Sequence, residues 1–154
     1  MKRLILSLII FGCTEFAWSD RAYSIEPLHY EASVSSQETI KISSFLSSTN
    51  ADNYEITHIA KNDLNDDGID ETIVITNTCE TSTEICQIYV LANLDISPAL
   101  LGRINAKNIA ISNQSSYGVR DLLVYNNAKN DYDYEIMRWN PKQSTYQLVK
   151  GGAQ

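Results

Sequence analysis

Apolar residues recur along this chain with two different periods, and the change falls near residue 50. Upstream of it, Ile42, Phe45 and Leu46 are spaced by three and four, which places them on one helical face. Ser35-x-x-Glu38 ahead of them reads as a capping box, so a short helix is expected from there to about Ser48. Downstream, 54–60, 72–77, 86–92, 100–104, 108–112, 119–125, 132–139 and 145–149 read as short strands separated by Asn, Asp, Ser and Gly. The segment 86–92 is apolar on both faces, the pattern of a central strand covered on each side. Residues 20–34, which contain Pro27 and His29, show no period and are expected to be an irregular lead-in. The fold expected is mainly β (α+β): an antiparallel meander of roughly seven or eight strands with one helix near its N-terminus.

Between the first two strands lies Asp63-Leu64-Asn65-Asp66-Asp67-Gly68-Ile69-Asp70-Glu71. Counted from Asp63, side-chain oxygens fall at positions one, three, five and nine, on Asp63, Asn65, Asp67 and Glu71, and Gly68 at position six permits a sharp turn. A hard cation wants six to eight oxygens at about 2.3–2.6 Å, and alternate residues of a curled loop point inward. Ile69 at position seven would add its backbone carbonyl. The candidate metal set is therefore Asp63, Asn65, Asp67, Ile69 and Glu71, with Ca²⁺ as the cofactor. Asp66 and Asp70 add charge behind it, and the loop contains no cation to offset these carboxylates. The competing reading is a metal-free polar turn built from Asn, Asp and Gly.

The loop is not an EF-hand, because position twelve is Val74 where that motif needs a bidentate Glu. The order D-x-[DN]-x-D-G-x-x-[DE] ahead of a β-branched strand resembles the FG-GAP/VCBS loop of integrin-type repeats, here with an apolar Leu64 at position two. Residues 117–125 echo the second half of such a repeat without its acidic part. The resemblance implies calcium held between two strands, in a partial propeller-like β unit of an exported or cell-surface protein. The order of features as a whole looks like that of small uncharacterised exported bacterial proteins.

Residues 1–19 read as a signal peptide: Lys2 and Arg3, an apolar run from Leu4 to Phe11, and small residues at Ala17 and Ser19. Cleavage before Asp20 leaves 20–154 as a single mainly β domain in the periplasm or outside the cell. Alternatively, Gly12-Cys13 marks a lipoprotein signal, and Cys13 becomes a lipid anchor. Removing Cys13 with the leader leaves Cys79 and Cys86, at the end of one strand and the start of the next, as a disulfide stapling a hairpin in an oxidising compartment.

The formal net charge of −7 argues against nucleic acid and anionic lipid as partners. His29 and His58 have no neighbour at ligand spacing, and no nucleophile, phosphate-loop or dinucleotide motif occurs. Asp131, Asp133 and Glu135 alternate with Tyr132, Tyr134 and Ile136, which reads as the polar face of a strand whose other face packs. Nine Tyr against three Phe favours rings that are part buried and part wet. The expected function is a calcium-binding β domain that acts as an interaction module and not as an enzyme, with an unidentified protein partner. The alternative is a periplasmic inhibitor or immunity protein directed at a cell-wall hydrolase.

Overall fold

The computed structural model describes residues 25–31, 33–49, 54–80, 84–92, 98–126 and 133–149. The leader expected at 1–19, Cys13, Asp131, Tyr132 and the tail 151–154 lie outside the described residues. The one helix among the described residues, α1 (Ser36–Ser48), begins where the sequence places it: the Ser35 hydroxyl accepts the Glu38 N–H at 3.2 Å. Glu38 also pairs through its carboxylate with Lys61 Nζ at 2.8 Å, which ties the first turn of α1 to the neighbouring strand. Ile42 and Leu46 are buried and Phe45 is partly so, as the spacing predicts.

Among the described residues nine strands follow the chain as β1 (Ile25–Pro27), β2 (Ile56–Asn62), β3 (Glu71–Glu80), β4 (Ile85–Ala92), β5 (Ala99–Ala106), β6 (Asn108–Ser116), β7 (Val119–Tyr125), β8 (Glu135–Asn140) and β9 (Thr145–Leu148). They form two antiparallel sheets, in the orders β2-β3-β4-β5 and β1-β6-β7-β8-β9. The single meander expected from sequence is thus two four-strand meanders, divided at Lys107, whose N–H reaches Tyr125 O at 3.0 Å. The ninth strand, β1, falls in the stretch read as irregular. It is three residues long, and Pro27 ends it at the sheet edge, where a missing N–H is tolerated. A relation to a propeller blade does not follow from this topology.

The alternation of each strand explains the layers. Ile73, Ile88, Val90 and Ile104 of the four-stranded sheet meet Ile109, Ile111, Leu122, Val124 and Tyr146 of the five-stranded sheet in the main core. The opposite face of the four-stranded sheet, with Ile59, Val74, Tyr89 and Leu91, is covered by Ile42 and Leu46 of α1. That is why β4 is apolar on both faces. On the far side of the five-stranded sheet, Ala110, Leu123 and Ile136 form a smaller cluster with Tyr125 and Tyr134, while Asp133 and Glu135 remain exposed, in keeping with the alternation read there.

The sheet edges also meet one another. Thr145 Oγ1 of β9 donates to Leu101 O of β5 at 2.9 Å. On the other side, the chain that pairs with β6 as β1 continues to β2, where Tyr30 bridges Ala60 and Glu31 N–H donates to Ile59 O at 2.9 Å. Among the described residues no helix is long and apolar enough to cross a membrane.

Candidate metal centre

The acidic loop closes the β2–β3 hairpin between Asn62 and Glu71, which pair directly. Its residues are held by their own side chains. Asp63 accepts backbone N–H groups on both oxygens: Asn65 at 3.3 Å and Asp67 at 3.2 Å on Oδ1, and Gly68 at 2.8 Å on Oδ2. Asp67 Oδ1 accepts Ile69 N–H at 2.8 Å, and Asn65 Nδ2 donates to Asp67 Oδ2 at 2.9 Å. Closing so tight a curl requires two residues with left-handed backbones, Asp66 at φ 57° and Gly68 at φ 82°. A Cβ at Gly68 would touch nothing within 4 Å, so glycine serves the backbone angle here and not a lack of space.

Glu71, the last expected ligand, differs from the others. It is only 3% exposed, at the start of β3, and its Oε2 accepts Leu64 N–H at 2.8 Å. Burial pushes its carboxyl above the usual range, the Leu64 N–H opposes that, and the negative charges of Asp67 and Asp63 push it up further. For Asp63, burial raises as well, but the N–H groups of Gly68, Asn65, Asp67 and Asp66 outweigh it and leave the carboxyl below its usual range. The loop thus keeps one carboxylate readily ionised while a second, buried one resists ionisation beside it.

The side chains of Asn65 and Asp67 are joined by a hydrogen bond, the Asp63 carboxylate holds the backbone N–H groups of both, and Glu71 stands at the neck of the loop. Ile69 at position seven turns its side chain to solvent, 47% exposed, and Asp66 and Asp70 are exposed. Among the described residues no three His, Cys, Asp or Glu side chains converge into a preformed cation cage. In this state the Asp63 oxygens are occupied by loop N–H groups.

Counting possible ligands passes over the residue that fixes the loop to the body of the protein. Leu64, at position two, is 0% exposed and sits in the core between the sheets. Its carbonyl accepts Arg120 N–H at 2.7 Å, and Arg120 O accepts the Tyr146 hydroxyl at 2.9 Å. Burial, with the nearby negative charges of Glu71 and Asp121, raises the Tyr146 phenol and keeps it a hydrogen donor. A continuous path therefore runs from the Glu71 carboxylate through Leu64 and Arg120 to Tyr146, linking the loop to β7 and β9 of the opposite sheet. The one signal in the sequence was an apolar residue at the second position of a polar loop.

The remaining candidates are placed elsewhere. Cys79 and Cys86 lie opposite each other on β3 and β4 and are bonded, S–S 2.06 Å. His29 and His58 are exposed, and the ring of His58 meets that of Tyr30 edge-on at 5.3 Å. Comparison with protein-family models, with curated proteins and with solved structures finds no match to this chain.

Proposed function

We propose that this chain is an exported binding module whose 63–71 loop takes up Ca²⁺, with Asp63, Asn65, Asp67, Glu71 and the Ile69 carbonyl as its ligands, and that the ion serves structure and not catalysis. Residues 1–19 would direct export to the periplasm or beyond, and the FG-GAP/VCBS likeness of the loop agrees with calcium between strands. The observation that carries the reading is the state of Glu71: a buried carboxyl pushed upward beside two acidic neighbours is a group that a divalent cation would relieve. Bound there, the ion would supply positive charge at the neck of the hairpin, and the Leu64–Arg120–Tyr146 path would carry the added rigidity to the second sheet.

The test is calcium titration into protein stripped with a chelator, followed by calorimetry and thermal melting. At a calcium concentration of about one hundred times Kd, uptake by the folded state alone adds roughly 2.7 kcal/mol of stability. Asp67→Asn retains an acceptor for the Ile69 N–H, gives up the exposed Asn65 Nδ2 contact and removes one charge, so it should diminish the calcium-dependent gain at only a small cost to the metal-free melt. Absence of both heat and thermal gain in the unaltered protein rejects the proposal.

A further inference from the structure

Each sheet has two edges, and three of the four are blunted in ways that natural sheets use to avoid taking on a further strand. β1 is three residues long and ends in Pro27. β2 is covered at Ile59 and Ala60 by the segment that carries Tyr30 and Glu31. β5 carries the exposed, charged Arg103, and its register against β4 shifts between Val90 and Leu91. The remaining edge, β9, has none of these devices. It runs Thr145-Tyr146-Gln147-Leu148 and on to Val149 without charge or proline, and its pairing with β8 shows no register shift. β5 is not its ladder partner: the two meet through the Thr145 hydroxyl, at the turn end of β9. Gly102 of β5 lies against the Tyr146 side chain on the core face, which leaves the backbone edge open.

The Val149 N–H bond to Ile136 O at 2.8 Å sets the phase of this edge. In an antiparallel ladder, pairs that exchange backbone hydrogen bonds alternate with pairs that do not. Ile136 and Val149 are an exchanging pair, and so are Arg138 with Gln147 and Asn140 with Thr145, whereas Met137 with Leu148 and Trp139 with Tyr146 are not. The N–H and C=O groups of Tyr146 and Leu148 therefore point away from the sheet. Leu148 also leaves its side chain 46% exposed at this edge.

Laid antiparallel beside itself, about a two-fold axis through Gln147, the edge matches itself at every position. Tyr146 of one copy stands opposite Leu148 of the other, twice over, and two such pairs close four backbone hydrogen bonds, two each. Each tyrosine ring then lies beside a leucine that is exposed in the single chain. Thr145 stands opposite Val149, and the two Gln147 amides face each other at the axis. No like charges meet in any of these pairs, the arrangement that cross-strand pairing rewards. Residues 139–149 carry a single charge, Lys142, in a chain of net charge −7, so two copies that repel over most of their surface repel least here. This match in register is what selects a second copy over an unrelated strand as the occupant.

We infer that two copies of this chain associate edge to edge through β9, so that their five-stranded sheets become one continuous sheet across an isologous two-fold interface. A contact this small belongs with interfaces under about 1,200 Å², which form and part readily, and the dimer should therefore build up with concentration. It does not involve the 63–71 loop, so it is tested in chelator and its outcome is separate from calcium uptake. Sedimentation velocity on the full chain over a hundredfold range of concentration should show monomer giving way to dimer. Leu148→Lys changes a residue already exposed and should raise the dimer dissociation constant at least tenfold with Tm held. Gln147→Cys in a Cys13→Ser background should give a disulfide-linked dimer when oxidised with copper–phenanthroline and air, because Cβ atoms directly opposite stand about 4.5–5.5 Å apart. Gln143→Cys, in the exposed turn and far from its counterpart in this register, should not. Monomer alone at every concentration, a dimer that Leu148→Lys leaves intact, or crosslinking at 143 as fast as at 147 would each overturn the inference.

Discussion

Replacing Leu64 with Ala tests whether the acidic loop is held by the core or only by its own polar contacts. Leu64 is fully buried between the sheets, while its N–H and C=O bonds to Glu71 and Arg120 belong to the backbone and would survive the change. What is removed is the side chain beyond Cβ, with a cavity left where it stood. For a site flanked by two sheets with little freedom to collapse, the transfer and cavity contributions together come to about 3–5 kcal/mol. A domain of this size loses about 3–5 °C of Tm per kcal/mol, so a fall of roughly 10–20 °C is expected by calorimetry or circular dichroism. The control is Ile69→Ala in the same loop, where the side chain is 47% exposed and the expected change is below about 0.5 kcal/mol. A loss under about 1 kcal/mol for Leu64→Ala, or equal losses for the two variants, would refute the idea that the second position of the loop is its anchor.

Three further outcomes follow from the geometry. In cation-free protein the raised Glu71 carboxyl contributes stability below the ordinary Glu range, and that contribution is lost as pH rises through the elevated folded value; Asp63, held low, acts in the opposite direction. The Tm of Glu71→Gln should therefore gain on that of the unaltered protein as pH rises across this window, and a difference independent of pH would contradict the assignment. Reducing the Cys79–Cys86 bond, which closes a separation of seven residues, should cost about 2.5 kcal/mol on the loop-entropy account, read as a shift in denaturant midpoint between oxidised and reduced protein. Gly102→Ala would bring a methyl within 3.3 Å of Tyr146 Cβ, so a loss of about 1–3 kcal/mol is expected, and an unchanged melt would show that Tyr146 can move aside.

Much of the architecture was legible because local chemistry and tertiary demand agree. Ser35 caps α1, Ile42 and Leu46 face inward, and the doubly apolar β4 is covered on both sides. What escaped the sequence has physical causes. β1 owes its existence to pairing with β6 and has no alternation of its own over three residues. The division into two sheets occurs at Lys107 between Ala106 and Asn108, without the Gly or Pro that would announce it. Tyr132 falls outside the described residues, and β8 runs Glu135–Asn140, so the strand read at 132–139 is displaced toward the turn. In the loop, spacing pointed to Asp63, Asn65, Asp67 and Glu71, and the structure joins the first three by hydrogen bonds. It gave no notice of Leu64, whose partners Arg120 and Tyr146 lie more than fifty residues downstream. The open edge at β9 was equally hidden, since the order of strands in a sheet is set by pairing and leaves no mark on alternation.

The short run from Ile25 to Glu31 lies along β6 and then crosses to β2, so it closes both sheets on one side at once. A protease cutting inside it would uncover two rows of unpaired amides and carbonyls in a single event, and neighbouring molecules would then be able to stack on one another as fibrils. These seven residues thus guard both sheet edges against self-association.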